Sequence, residues 1–454
     1  MSEEATLDEF ADSSDTEGSQ ERVTSQFWDE IPESWRLVNG SEVYDVNPNP
    51  KPEEEPNTYI EMDALDTELP WPKYFGMRDA SEYSGKTFTE GDTLFARITP
   101  CTENGKAALV PEMETEIGIG STEYAVLSPK KNRINPWLLY YIGKSYPVHN
   151  YAVSRMRGST GRQRVPFSVF RRELDIALPP LPEQRKIVTI LYTIDRAIEK
   201  TGQIIEQKKR VRKGMMQDFF SEGYYNHDSY ETSRVGPVEW KQPATWTVKK
   251  LGEMTSGIIE IDHNMPDKTE EGVPFIAAGD ITQRLKIDLE GTEKISKEDY
   301  ERLSKKFDAE RGDILYTRFG TYIGVARKID FDPEVIASYS VVLIKADKVN
   351  SDYLTSFLNS PISRKEAENR TRGSANRNLN LSEIKQMSVP VPTEGEQRKI
   401  ADALTQVENS IKSEEAYKSN LSRIKHGLMQ DLLSGTVRTT DTNIEVPDEI
   451  AQHG

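Results

Sequence analysis

The chain has 454 residues, 36% hydrophobic and 29% charged, which is room for two or three domains with their own cores. A formal charge of −17 excludes a generally adhesive polycation, although basic groups can still gather on one face. No apolar run approaches the ~18 residues that cross a bilayer, and the single Cys101 excludes an intramolecular disulfide and a thiolate zinc site, so a cytoplasmic location is expected. Residues 1–22 are acidic and lack the apolar stretch of a signal peptide, and are expected to form a disordered tail.

Residues 23–181 read as a mixed α/β globule. Its short apolar runs, such as Thr93–Ile98 and Tyr124–Leu127, are broken by Gly, Pro and Asn, and a helical piece follows at Pro136–Lys144. The globule leaves through "LPPLP" at Leu178–Pro182, where proline stiffens the backbone. A long helix is expected over 182–223. Ile187, Leu191, Ile194, Ile198 and Ile205 recur along it at about 3.5 residues, continued loosely by Val211, Met215 and Phe219. Thr201 and Lys208 interrupt the stripe, and Gly223 ends it. A second globule over 224–391 has strands at Asp313–Thr317 and Tyr339–Ile344, a helix at Ser351–Asn359, and a "VPVP" exit at Val389–Pro392. A second long helix follows over 392–437, with Ile400, Leu404, Val407, Ile411, Leu421, Ile424, Leu428 and Leu432 on its stripe and Tyr417 near the seam. It ends at Gly435, and an acidic tail occupies 438–454.

The two halves are the same text. "RGSTGR" after Met156 returns as "RGSANR" after Thr371, "EQRKI" occurs at Glu183–Ile187 and Glu396–Ile400, and "GMMQDFF" (Gly214–Phe220) returns as "GLMQDLL" (Gly427–Leu433). "GDTLFAR" (Gly91–Arg97) matches "GDILYTR" (Gly312–Arg318), and the Trp35 segment matches the Trp246 segment. Matches in one order at a nearly constant offset mean a duplicated unit of roughly 210 residues, the size of a domain with a connecting element. A long helix with a narrow apolar stripe wants a partner helix. The other copy, running antiparallel, is the simplest one; packing of each helix on its own globule is the alternative. Two globules so held are expected to be related by an approximate two-fold, which suits the local two-fold of a DNA duplex, whose helical turn is about 34–36 Å.

Charge is locally polarised. Ser154–Arg172 holds Arg155, Arg157, Arg162, Arg164, Arg171 and Arg172 without an acidic residue, and the matching stretch holds Arg364, Lys365, Arg370, Arg372 and Arg377, diluted by Glu366 and Glu368. Recurrence of such clusters favours a phosphate-facing role over a merely solvated loop. No catalytic set accompanies them. "NPNP" at Asn47–Pro50 does not supply the (N/D)PP(Y/F) loop of an amino-methyltransferase, and Pro266-Asp267 has no suitably spaced D/E-x-K. "GKT" at Gly85–Thr87 lacks the first glycine of a phosphate loop, where Ala80 stands. His149, His227, His263, His426 and His453 have no ligand spacing.

"LPPLPEQRKI" and "GEQRKI" entering long helices, "GMMQDFF" and "GLMQDLLSG" ending them, the "RGS" element, "GDTLFARITPCTENGK" and "GDILYTRFGTYIG" together resemble the specificity subunits of type I restriction–modification systems. "VGPVEWKQPATWTVKKLGEM" resembles that family's domain entry, and the likeness runs from about residue 23 to residue 438. The resemblance implies an α+β fold: two tandem mixed α/β target recognition domains, each followed by a long helix, with the helices pairing as an antiparallel coiled coil. Each domain would read one half of a split, asymmetric sequence in double-stranded DNA. The helices would set the gap and dock two methyltransferase subunits carrying S-adenosylmethionine and, through them, two restriction subunits, nuclease–translocases using ATP and Mg2+. The chain itself would hold no cofactor or metal and no catalytic residue.

Arginine suits phosphate and guanine edges, and Asn or Gln suits adenine. Candidate DNA contacts in the first half are Arg97, Thr99, Asn104, Lys106, Arg157, Ser159, Arg162, Gln163 and Arg164. In the second half they are Arg318, Thr321, Tyr322, Arg372, Ser374, Asn376, Arg377 and Asn378. Arginines common to both halves suit backbone positioning, because what two readers of different sequences share cannot discriminate. Arg97 and Arg318 read equally as phosphate contacts or buried ion pairs. A tandem coiled-coil scaffold without DNA reading is the alternative function; a single-chain nuclease lacks motifs.

Overall fold

The computed structural model describes residues 31–52, 56–81, 85–235, 238–261, 265–282, 287–320, 322–371 and 377–452; the expected amino-terminal tail lies outside them. The chain divides into two compact units, one of residues 1–201 with 417–454, the other of residues 202–416.

The first unit contains β1 (Arg36–Asn39), β2 (Tyr44–Val46), β3 (Asn57–Ile60), β4 (Gly76–Arg78) and β5 (Lys86–Phe88). It continues with β6 (Thr93–Ala96), β7 (Ala107–Leu109), β8 (Gly118–Gly120), β9 (Tyr124–Pro129), α1 (Pro136–Lys144), α2 (Tyr146–Ser154) and β10 (Asp175–Leu178), before α3 (Leu181–Glu222) begins. β1 pairs with β10, an antiparallel sheet runs β2-β9-β6-β7, and a mixed sheet runs β4-β3-β8-β5 with β3 and β8 parallel. β6 is buried along its whole length, with Leu94, Phe95 and Ala96 apolar in succession, because both its faces are covered. Leu94 and Ala96 join Ile60, Phe88, Tyr124 and Val126 in one core. Phe95 turns the other way, into a core with Leu138, Tyr141, Ile187, Leu191, Leu432 and Leu433. Asn135 caps α1 by accepting from Trp137 N, and Pro136 follows it at the first helical position.

The second unit repeats this plan. A hairpin of β11 (Tyr230–Val235) and β12 (Val238–Pro243) precedes β13 (Thr247–Lys250), β14 (Gly257–Ile259), β15 (Lys268–Thr269), β16 (Val273–Ile276), α4 (Ala278–Thr282) and β17 (Lys294–Ile295). Then come α5 (Lys297–Ser304), β18 (Ile314–Thr317), β19 (Ala326–Lys328), β20 (Ile336–Ala337), β21 (Val341–Lys345), α6 (Ser351–Leu358), α7 (Pro361–Arg370), α8 (Leu381–Lys385), β22 (Ser388–Val391) and α9 (Glu394–Ser434). β13-β22 and β14-β21-β18-β19 match β1-β10 and β2-β9-β6-β7 in order. The sheet β15-β17-β16-β20 differs in strand order from its counterpart but keeps one parallel pair, β16 with β20.

Each unit holds part of both long helices, side by side and antiparallel. In the second unit Lys208 reaches Glu414 (2.8 Å) and Ser410 (2.7 Å), while Arg212 reaches Glu408 (3.1 Å), so partner numbers fall as helix numbers rise. In the first unit Lys425 meets Asp195 at 2.5 Å, and Leu432 and Leu433 pack with Ile187 and Leu191. The expected pairing is therefore present, but three expected seam positions are not in it. Val211, Tyr417 and Ile424 are 50%, 54% and 52% exposed. The inward face instead steps by three and four residues from Ile205 through Lys208 and Arg212 to Met216 and Phe220, and Lys425 takes the inward place beside Ile424. The polar interruption at Lys208 is thus a cross-helix ion pair. That at Thr201 is satisfied within its own helix, where its hydroxyl donates to Ala197 O.

The acidic carboxyl-terminal stretch is folded as far as residue 452. Lys186 donates to Thr440 O and Thr442 O, Ile450 on α10 (Asp448–Ala451) is fully buried, and Asn135 donates to Ile450 O.

Candidate nucleic-acid interface

In the first unit the arginine-rich loop is a hairpin. Arg157 and Arg164 exchange both backbone hydrogen bonds, and Arg162 N closes the turn on Ser159 O. Gly158 and Gly161 sit at φ of +125° and +80°, where a side chain would be strained. The base of the hairpin is stitched to the chain leaving β6: Val165 N donates to Arg97 O, and Thr99 N donates to Gln163 O. This brings the Thr99–Lys106 loop beside the hairpin, so the candidates of the first half do converge.

Their side chains have different fates. Arg157, Ser159, Arg162 and Asn104 are exposed, and Thr99 and Gln163 are half-buried. Neither Arg157 nor Arg162 forms an ion pair with a described residue. Arg164 lies flat against Glu123, with its Nε and one terminal nitrogen donating at 2.9 and 2.7 Å. Arg97, 4% exposed, shares that carboxylate at 3.5 Å, donates to Val165 O and lies over the Phe167 ring at 4.0 Å. Lys106 is tied to Asp63 and Met62 O. Burial alone would raise the Glu123 carboxyl, but the hydrogen bonds and charges of Arg164 and Arg97 hold it below the ordinary carboxylate range.

The second unit uses the same stitching. Leu379 N donates to Arg318 O, and Gly320 N to Arg377 O, as the chain leaves β18. Arg318 is 3% exposed; it meets Glu260 at 2.7 Å and donates to Tyr339 O. Of the two readings open for Arg97 and Arg318, the geometry is that of the buried ion pair. Tyr322 is 63% exposed, Arg377 is exposed and Asn378 half-buried. Thr321, Arg372, Ser374 and Asn376 lie outside the described residues.

The repeated "EQR" words turn out to be joints. Glu183, buried at the start of α3, accepts from the Trp35 indole (2.9 Å) and from two nitrogens of Arg438 (2.7 and 2.8 Å). Glu396, equally placed on α9, accepts from the Trp246 indole (3.0 Å) and Tyr224 N (2.9 Å), with His227 Nε2 at 3.0 Å. Gln184 accepts from Asn135 N and donates to Pro179 O, as Gln397 does with Asn350 N and Pro392 O. Each motif thus locks the start of a helix to the strand exit, the Trp segment and the cap of a globule helix. Burial would raise Glu183, yet Arg438 and Trp35 hold it below the carboxylate range.

The family model for the type I restriction modification DNA specificity domain matches residues 32–209 and again residues 243–423. The chain belongs to this family. It is 25% identical over 431 residues to a protein of Methanocaldococcus jannaschii named for the MjaX type I restriction enzyme specificity subunit, covering 90% of this chain and 95% of that one. It is 28% identical to the MjaVIII specificity subunit of the same organism, over 72% of this chain and 76% of that one. Among solved structures, a type I restriction–modification S subunit from M. genitalium has a TM-score of 0.54 at 16% identity, covering 89% of this chain and 96% of that one. A chain from a study of the assembly and conformational transition of the type I R-M system has a TM-score of 0.51 at 17% identity, covering 90% of this chain and all of that one. These structures share the fold.

In this specificity-family chain Trp35, Asn135, Glu183 and Gln184 fall inside the first matched segment and Trp246, Asn350, Glu396 and Gln397 inside the second, whereas Tyr224, His227 and Arg438 lie outside both. Among the described residues no group of His, Cys, Asp and Glu is arranged to hold a metal, and no helix is long and apolar enough to cross a membrane.

Proposed function

We propose that this chain is the specificity subunit of a type I restriction–modification complex, with each unit reading one half of a bipartite, asymmetric DNA sequence. The observation that carries the reading is the duplicated specificity domain, joined to the exposed Arg157–Arg162 turn. Arg157, Ser159, Arg162 and Asn104 in one unit, and Tyr322 and Arg377 in the other, are the contacts the geometry favours; Thr99, Gln163 and Asn378 lie at their edges. Contact with phosphates and base edges is all the chemistry this chain supplies. Two methyltransferase subunits, with S-adenosylmethionine, and two restriction subunits, with ATP and Mg2+, dock on it in the cytoplasm and carry the catalysis.

The test is co-expression with the genomic neighbours followed by adenine-methylation mapping. The expected result is a complex with two methyltransferase copies and a methylated two-part motif with unspecified bases between its parts. A complex without a methyltransferase, or methylation of one continuous palindrome, overturns the reading. In the assembled complex, replacing Arg157 and Arg162 with Gln is expected to lower the slope of log affinity against log salt by about 0.9 for each phosphate no longer neutralised. A scaffold that does not read DNA would show no such change.

A further inference from the structure

Glu123 occupies a place that no DNA-contacting role explains. Its backbone carbonyl accepts from Arg97 N, the bond that Ser340 makes to Arg318 N in the second unit. Its carboxylate, about four-fifths covered, then takes both guanidiniums at the root of the hairpin, Arg164 in two-toothed geometry and Arg97 at 3.5 Å. In the second unit the position equivalent to Arg164 is Asn378, which bridges Phe319 as Arg164 bridges Ile98, and Arg318 finds its acid elsewhere, at Glu260. The carboxylate of Glu123 is therefore not part of the shared framework. It is particular to the unit that carries an extra arginine.

We propose that Glu123 is a positioning residue for DNA reading, an internal counter-charge that keeps Arg164 off the phosphates and leaves contact to Arg157 and Arg162. This rests on the DNA-reading role proposed above. A guanidinium held edge-on by one carboxylate is fixed in direction, and its charge is largely cancelled at short range. With Arg164 so held, the hairpin's contacts are confined to its tip, at the Gly158–Gly161 turn. Were Arg164 free, the root of the hairpin would add a phosphate contact with no sequence preference.

The experiment uses the assembled complex and a duplex without a target site, titrated across a range of salt. Glu123→Gln keeps the shape and loses the charge. It is expected to tighten low-salt binding and steepen the salt slope by about 0.9, an extra weakening of roughly threefold between about 50 and 200 mM salt. Glu123→Asp is expected to stay near the parent slope. The double variant Glu123→Gln, Arg164→Gln is expected to return to it, because the freed group is then absent. Arg164→Gln alone is expected to leave the slope unchanged, whereas Arg162→Gln lowers it. A parent-like slope in folded Glu123→Gln overturns the proposal, as does a fall in Arg164→Gln equal to that in Arg162→Gln. The second comparison decides alone if Glu123→Gln fails to fold. A parent complex that retains no duplex at any salt refutes the DNA-reading role itself.

Discussion

Replacing Lys425 with methionine would expose the cost of the buried charge in the first unit's helix pair. Lys425 Nζ lies 2.5 Å from Asp195 and donates to Glu68 O at 2.6 Å; the two side chains are 8% and 0% exposed. After the replacement Asp195 keeps, among the described residues, the Tyr141 hydroxyl at 2.7 Å. Methionine replaces most of the stem, so the loss is chiefly of charge and not of packing. Stranding a buried ion costs about 3–5 kcal/mol, and for a unit of this size each kcal/mol moves Tm by about 2–4 °C, giving an expected fall of roughly 6–20 °C near pH 7.

The pH dependence separates this from a packing defect. Burial raises the Asp195 carboxyl above its usual value, with Lys425 pulling it back down. A carboxyl that binds its proton more tightly folded than unfolded contributes stability at low pH that is lost as pH rises through the folded value. Removing Lys425 widens that gap, so the deficit of Lys425→Met is expected to shrink on acidification, as Asp195 takes up a proton. Thermal unfolding in buffers from neutral to mildly acid pH reads both effects. A fall under about 2 °C near pH 7, or a deficit that does not shrink on acidification, refutes the assignment. The equivalent replacement in the second unit, Arg212→Met, is expected to cost less, about 1.5–3 kcal/mol, because Arg212 and Glu408 are 17% and 25% exposed and water reaches the stranded carboxylate.

Burial and the nearby charge of Lys425 lower Lys144 to about 8, below its unfolded value. The unfolded chain then binds the extra proton, so stability is expected to rise with pH between about 8 and 10.4, and Lys144→Met to flatten that rise in Tm. An equal rise in the variant counts against it. Trp35→Phe keeps a ring in the core but withdraws the indole donor from Glu183, at an expected cost of about 1.5–3 kcal/mol by denaturant titration. A cost under about 0.5 kcal/mol would mean that Arg438 alone satisfies the carboxylate.

Periodicity and repetition made the large features legible. The strand start at Thr93, the helix at Pro136–Lys144 and the ends of both long helices stand where apolar pattern and punctuation put them, because those signals are local; the strand itself stops at Ala96, two residues short of the apolar run. What stayed hidden depends on pairings between distant residues. Nothing near Arg97 announces Glu123, and nothing in the second half says that Arg318 turns to Glu260 at the end of β14. The seam departs from the apolar stripe at Val211 and Ile424 for a related reason. A stripe search rewards apolar residues, whereas Arg212 and Lys425 hold the inward positions through carboxylates on the opposite helix. The carboxyl-terminal stretch looked like an acidic tail, yet Arg438 and Ile450 anchor it.

The duplicated words also change meaning once their contacts are known. Glu183 and Glu396 are the most recognisable residues of the chain, and both are buried acceptors for a tryptophan indole. Their partners differ, Arg438 in one unit and His227 in the other, but the joint is the same. A feature that must survive in two readers of different sequences is one that fixes the frame, so the repeated motifs locate the architecture and not the specificity. The discriminating residues are then expected where the copies disagree at exposed positions: at the hairpin turn of Gly158–Gly161, at Asn104 and at Tyr322. Exchanging those positions between the units tests this directly, since it is expected to alter DNA preference while leaving both helix joints intact.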